Sequence, residues 1–260
     1  LRDHKAEWHD EYGVDTAVTG LTAIKLDVSN RLGAALLPFG IFVVGLCLVL
    51  LTVVFRSIAV PIKATIGYLL SMLTAFGAAQ LVFNRGIGLS VVNLDRPVPI
   101  ISFMPIVVMG ILFGLAMDYQ VFLVTRMREH ISRHPEGTGG RYSAVDEATI
   151  TGFTQGARVV TAAAIIMISV FVAFINQPLP FIQIFGFALA AGVLFDAFFI
   201  RMTLVPATMF LMGRATWWMP KWLAKILPTL DIEGTALEEE WEAKHATLSP
   251  TPSPAHKEEE

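Results

Sequence analysis

One carboxylate stands inside an otherwise apolar stretch. Residues 100–124 are long enough to cross a bilayer, and Asp118 lies within them, in Gly114-Leu115-Ala116-Met117-Asp118-Tyr119-Gln120-Val121-Phe122-Leu123. A carboxylate near a helix centre in hydrocarbon costs about 2.5–3.5 kcal/mol even on a lenient insertion scale, so such residues usually face a bundle interior and handle an ion or proton. Desolvation disfavours the charged form of a carboxyl group, and water or a second charge restores it. A group whose protonation follows hydration from one side can couple proton flow to a conformational change. Tyr119 adds a hydroxyl that donates and accepts, and Phe122, one turn on, packs on the same side as Asp118. The competing reading of Asp118 is structural: a carboxylate hydrogen-bonded across helices or paired with a buried base. Tyr119 alone would be ordinary packing, and Phe122 reads as bundle core rather than substrate contact.

Asp196 and Arg201 form a second intramembrane polar group. Five residues apart on an α-helix, they do not stack as residues three or four apart do. The spacing therefore predicts that each pairs with another helix, or that Arg201 reaches the cytoplasmic interface. Helix registration by an ion pair is favoured over direct proton transfer. Gly110 and Gly114 have the four-residue spacing that permits close helix approach, which predicts tight packing around Asp118.

The elements that must hold these residues are membrane spans. Hydrophobic residues make up 54% of the chain and charged residues 16%, which excludes an ordinary soluble domain. The net charge of −3 lacks the basic footprint of a nucleic-acid binder, so no nucleic-acid partner is expected. Five stretches reach the roughly 20 apolar residues a crossing needs: about 33–54, 58–83, 98–124, 157–175 and 181–212, together the bundle 33–212. Asn176-Gln177-Pro178-Leu179-Pro180 joins the last two as an antiparallel hairpin. Cys47 lies in an apolar run, where packing is its expected role.

Lys and Arg orient the bundle. Arg56 and Lys63, then Arg126, Arg128, Arg133, Arg141 and Arg158, then Arg214, Lys221 and Lys225 fall on one side; Arg31, Arg85 and Arg96 fall on the other. The richer side is expected to be cytoplasmic, which places the N-terminal segment outside and the C-terminus inside.

Residues 1–32 read as a helix, a strand over 14–20 and a helical lead into the first span, too short for a core of their own and so the end of an external domain. Leu1 is not an initiator, and the chain reads as a piece of something larger. Ser143 is a plausible cap for the helix that resumes after the Gly137–Gly140 loop. Trp217, Trp218, Trp222, Lys221 and Lys225 around Pro220 suggest an amphipathic interfacial helix over 213–230. Residues 231–260, acidic and then rich in Pro, Ser and Thr, read as a disordered tail.

With these motifs in place, the chain resembles the C-terminal half of the MmpL (mycobacterial membrane protein large) family of the resistance–nodulation–division superfamily, over about residues 13–228. The resemblance rests on Thr19-Gly20-Leu21-Thr22, Val54-Phe55-Arg56-Ser57, Val60-Pro61-Ile62-Lys63-Ala64 and the Phe113–Leu123 segment. It continues through Ala157-Arg158-Val159-Val160-Thr161, Phe195-Asp196-Ala197-Phe198-Phe199-Ile200-Arg201 and Leu204-Val205-Pro206-Ala207. It implies an all-α integral membrane fold with the five spans equivalent to helices 8–12 of twelve, and residues 1–32 as a short α/β remnant closing an external porter domain. It implies Asp118 and Tyr119 in a proton relay whose partners lie on the fourth helix, in an N-terminal half outside this chain. The implied activity is export of lipids, glycolipids, siderophores or drugs across the inner membrane, driven by the proton gradient with no cofactor, the chain lying among membrane lipids.

Two other classes fit less well. An intramembrane aspartyl protease needs two carboxylates on separate helices, a role open to Asp118 and Asp196, and shared protonation would make one acid and one base. Such enzymes resemble one another in a Gly-x-Gly-Asp segment that is missing before Asp118. A lipid- or sterol-sensing bundle of the same superfamily fold would work without proton coupling, and the acidic residue at 118 argues against it.

Overall fold

The computed structural model describes residues 5–13, 15, 17, 19–133, 143–220 and 223. The chain divides into two compact units, Leu1–Pro220 and Lys221–Glu260; residue 223 alone of the second is described. Among the described residues of the first unit every regular element is a helix. Its elements are α1 (Lys5–Tyr12), α2 (Leu21–Phe55), α3 (Ala59–Ala79), α4 (Met104–Arg133), α5 (Ala144–Ile175), α6 (Pro180–Phe195) and α7 (Val205–Met212). A π-helical turn, Gln80–Asn84, extends α3, and a longer π-helix, Asp196–Leu204, fuses α6 to α7.

Five helices among the described residues are long and apolar enough to cross a membrane: Leu21–Phe55, Ala59–Asn84, Met104–Met127, Gly156–Ile175 and Pro180–Met212. These are the expected spans, shifted at their ends for local reasons. The helical lead and the first span are one uninterrupted α2. The third span begins six residues late, at Met104, with Pro105 in its first turn, where the missing N–H is unneeded. Large apolar side chains, among them Leu37, Phe42, Leu73, Ile166 and Leu211, are exposed on the outside. That surface suits a hydrocarbon solvent and not water. The chain is an all-α membrane protein.

One expected element is corrected. Positions 13, 15, 17 and 19 carry no regular structure, and no strand occurs among the described residues. A strand needs a neighbour for its N–H and C=O groups, and no described segment pairs with positions 15, 17 and 19; positions 14, 16 and 18 lie outside the described residues, and Gly13 and Gly20 are both at positive φ.

Packing alternates large and small residues. Where α6 crosses α5, a Cβ on Gly186 would lie 2.6 Å from the Phe174 Cβ and 2.7 Å from the Phe171 carbonyl oxygen, so only glycine lets the hairpin close. Gly152 and Gly156 on α5 do the same against Met127 and Leu123 of α4, at 2.7 and 2.8 Å. Ser143 caps α5 through a reciprocal box with Asp146, which satisfies two otherwise orphaned N–H groups. Cys47 is fully buried, its sulfur accepting from the Thr65 hydroxyl at 3.4 Å, in keeping with a packing role.

The two ends of the bundle are built differently. At one, Ser57 in the α2–α3 turn donates to the Thr216 carbonyl at 2.6 Å, and Lys63 Nζ donates to the Thr208 carbonyl at 3.2 Å and reaches Thr216 Oγ1 at 3.4 Å. The described part of the expected interfacial helix is thus a 3₁₀ turn, Gly213–Trp217, pinned to that elbow. Trp222, Lys221, Lys225 and the acidic tail lie outside the described residues. At the other end the α3–α4 connection, Asn93 to Pro99, borders an open basin of about 850 Å³ together with Pro180 of the α5–α6 hairpin. Segments assigned to one side by charge are therefore neighbours in space.

Candidate functional site

α4 carries the central residues. Its inward face holds Leu112, Ala116, Met117, Gln120, Leu123, Val124 and Met127, all buried. Asp118 and Gly114 are exposed on the helix surface. A Cβ added to Gly114 would meet nothing within 4 Å, and one on Gly110 would meet only the edge of the Phe39 ring at 3.9 Å. The expected tight packing around Asp118 is therefore not made inside this chain, because the glycine face points out of the five-helix body. The close approaches belong instead to Gly152 and Gly156, which share the same four-residue spacing and were passed over. Phe122 follows Asp118 by one turn, half-buried, with the Arg126 guanidinium 5.6 Å from its ring centre. The side chain of Tyr119 lies outside the described part of the structure.

Asp196 and Arg201 meet each other. Arg201 Nε donates to Asp196 Oδ2 at 2.6 Å, with side-chain exposures of 3% and 14%. This departs from the expectation of separate partners, and the backbone explains why. On an α-helix, residues five apart are about 140° apart around the axis; in a π-helix the turn closes from i to i+5, and the two come into line. The pair sits wholly within the π-helix Asp196–Leu204.

Neighbouring helices complete the node. Arg201 Nη2 donates to the backbone carbonyl of Ala116 at 2.6 Å, tying the fifth span to α4. The Ser71 hydroxyl of α3 lies 3.1 Å from Asp196 Oδ1 and 3.1 Å from the Gly67 carbonyl. Beside them is a cavity of about 10 Å³ lined by Ser71, Leu112, Ala116, Val160, Asp196 and Arg201 among others, room for about one water. Asp118 is not among its lining residues and is exposed on the surface of α4, whereas Asp196 points to the Arg201 and Ser71 partners. Ser71 escaped the sequence reading, since a lone serine in an apolar helix commonly bonds back to its own backbone.

Comparison with known proteins adds the remaining observation. The sequence profile of the MMPL family matches residues 2–254. The chain is 47% identical over 231 residues to Membrane protein YdfJ of Bacillus subtilis, covering 89% of this chain and 31% of that protein. It is 35% identical over 216 residues to the Mycolic acid-containing lipids exporter MmpL11 of Mycolicibacterium smegmatis, covering 83% and 22%. It is 32% identical over 229 residues to the Trehalose monomycolate exporter MmpL3 of the same species, covering 88% and 22%. The chain spans less than a third of the length of these relatives. Five apolar spans, the Asp118 helix and a profile match across nearly the whole sequence establish that this chain belongs to the MMPL family.

Proposed function

We propose that this chain supplies the C-terminal membrane half of a proton-driven exporter of lipids or other amphiphilic molecules, with Asp118 carrying the exchangeable proton and Tyr119 beside it in the relay. The observation that supports it best is the placement of Asp118. It is a carboxylate at membrane depth on a face of α4 that its own bundle leaves uncovered, one turn after Gly114, which has open space before it. A charge there is tolerable only against a polar partner or water, and an N-terminal half carrying its own polar residues would provide both. Relatives named as exporters of mycolic acid-containing lipids and of trehalose monomycolate point to large amphiphiles as cargo. This reading places the bundle in the inner membrane with the N-terminal segment external and the C-terminus cytoplasmic, an orientation the Lys and Arg distribution supports.

The test is export by the complete transporter in reconstituted vesicles under an imposed pH gradient, with protein amount checked in parallel. Asp118→Asn keeps shape and hydrogen bonding but cannot exchange a proton, so export stops while insertion and folding persist. Gradient-dependent export by that variant at the parent rate would refute the relay, whereas absence of gradient-dependent export by the parent transporter would favour a lipid- or sterol-sensing bundle.

A further inference from the structure

The Asp196–Arg201 pair depends on the winding of the backbone beneath it. The π-helix ends at Leu204, and its last turn is closed by the Val205 N–H on the Ile200 carbonyl, five residues back. The Thr203 hydroxyl makes a second link of the same span, donating to the Phe198 carbonyl at 3.2 Å. Pro206 follows immediately, in the first turn of α7. A proline has no N–H to give, and in an α-helix its ring collides with the carbonyl four residues earlier. Here that carbonyl belongs to Met202, inside the π-helix.

We propose that Pro206 is a positioning residue: by denying the α register to the preceding turn, it holds Asp196–Leu204 in the wide winding that brings Arg201 to both Asp196 and the Ala116 carbonyl. Were the segment to rewind as α-helix, Arg201 would stand about 140° from Asp196 around the axis. The ion pair and the tie to α4, two residues before Asp118, would be lost together. The residue four before Arg201, the natural partner in an α register, is Ala197. It is buried and carries no charge.

The consequence for transport rests on the relay reading above, but the register is measured without it. In the purified complete transporter, melting temperatures of Asp196→Asn, Arg201→Gln and the double variant form one thermodynamic cycle. The same cycle is then repeated in protein carrying Pro206→Ala. Coupling between 196 and 201 is expected in the first and lost in the second. Moving the carboxylate by one residue, with Asp196→Ala and Ala197→Asp together, is expected to restore coupling to Arg201 only when Pro206→Ala is present. Export should follow the same pattern: lost in Pro206→Ala, regained when the carboxylate is moved. Undiminished 196–201 coupling in Pro206→Ala protein would overturn the proposal. If Pro206→Ala yields no folded protein, the moved carboxylate in otherwise unchanged protein decides: coupling of position 197 to Arg201 there would equally overturn it. Should Asp118→Asn protein still export, the relay reading fails while the melting cycles continue to judge Pro206.

Discussion

Arg201 donates to the backbone carbonyl of Ala116 across 2.6 Å, two residues before Asp118. A guanidinium held on one side by a carboxylate thus grips the main chain of the helix that bears the other. The grip makes the electrostatics of the fifth span a mechanical matter for α4, and the consequences can be measured.

Breaking the pair from the Arg201 side leaves Asp196 buried without its counter-charge, a loss of about 3–5 kcal/mol. Arg201→Ala should therefore reduce the yield of folded protein and its melting temperature. Ser71→Ala removes one hydrogen bond while Arg201 remains, and should cost no more than about 1–2 kcal/mol. Asp196→Asn with normal stability and abolished transport would move Asp196 from registration into the proton path.

Tyr119→Phe should lower gradient-driven export less than Asp118→Asn, since it removes one hydroxyl and keeps the ring. Asp118→Glu moves the carboxyl by one methylene, a displacement felt wherever packing is close. Export near the parent rate in Asp118→Glu would mean that the face of α4 is loosely covered in the complete protein.

Glycine substitutions should split by position. Gly186→Ala forces atoms apart at the α5–α6 crossing and should cost about 1–3 kcal/mol, read as a lower melting temperature. Gly45 and Gly77 have nothing within 4 Å of an added Cβ. Alanine at either should leave stability unchanged or raise it by up to about 1 kcal/mol through helix propensity.

Ser57→Ala removes the donor to the buried Thr216 carbonyl, an omission worth about 1–3 kcal/mol locally. Hydrogen exchange across 213–218 should quicken while α4 and α6 keep their protection. Equal protection of the segment in both proteins would show that Lys63 alone suffices to pin it.

Orientation is open to cysteine labelling with a membrane-impermeant reagent after Cys47 is replaced. A cysteine at Asn93 should react from outside intact cells, and one at Ala215 only after permeabilisation. The reverse result would invert the bundle.

The spans were legible because their signal is a sum over some twenty residues, and small errors at the ends do not change it. Asp118 was legible for the opposite reason: a single costly group in an apolar run stands out by itself. The Asp196–Arg201 contact was hidden because reading by the α-helical period assigns residues five apart to different faces. Only the combination of that spacing with Pro206 downstream hinted at a wider turn. Glycine spacing showed that two helices can come close but not which pair. Gly114 faces open space and Gly110 meets only Phe39 at ordinary contact distance, while Gly152 and Gly156 carry the same pattern and are filled. Which glycines are used depends on where neighbouring helices lie, and no local pattern contains that. The described positions 15, 17 and 19 form no strand for a similar reason, since pairing requires a second segment.

α2 has a mechanical property that its role as a span does not exhaust. At 35 residues, with Pro38 at its centre, it runs about 52 Å, against a hydrocarbon thickness of about 30 Å. A tilt of about 10° around its midpoint would carry the two tips some 4–5 Å in opposite directions. Its far end stops at Arg56, beside the elbow where Ser57 and Lys63 hold the segment after α7. Pro38 stands at that midpoint, where the missing N–H and the ring open a flexing point, so a sideways push on the Leu21 end is taken up as a bend there before it reaches the elbow.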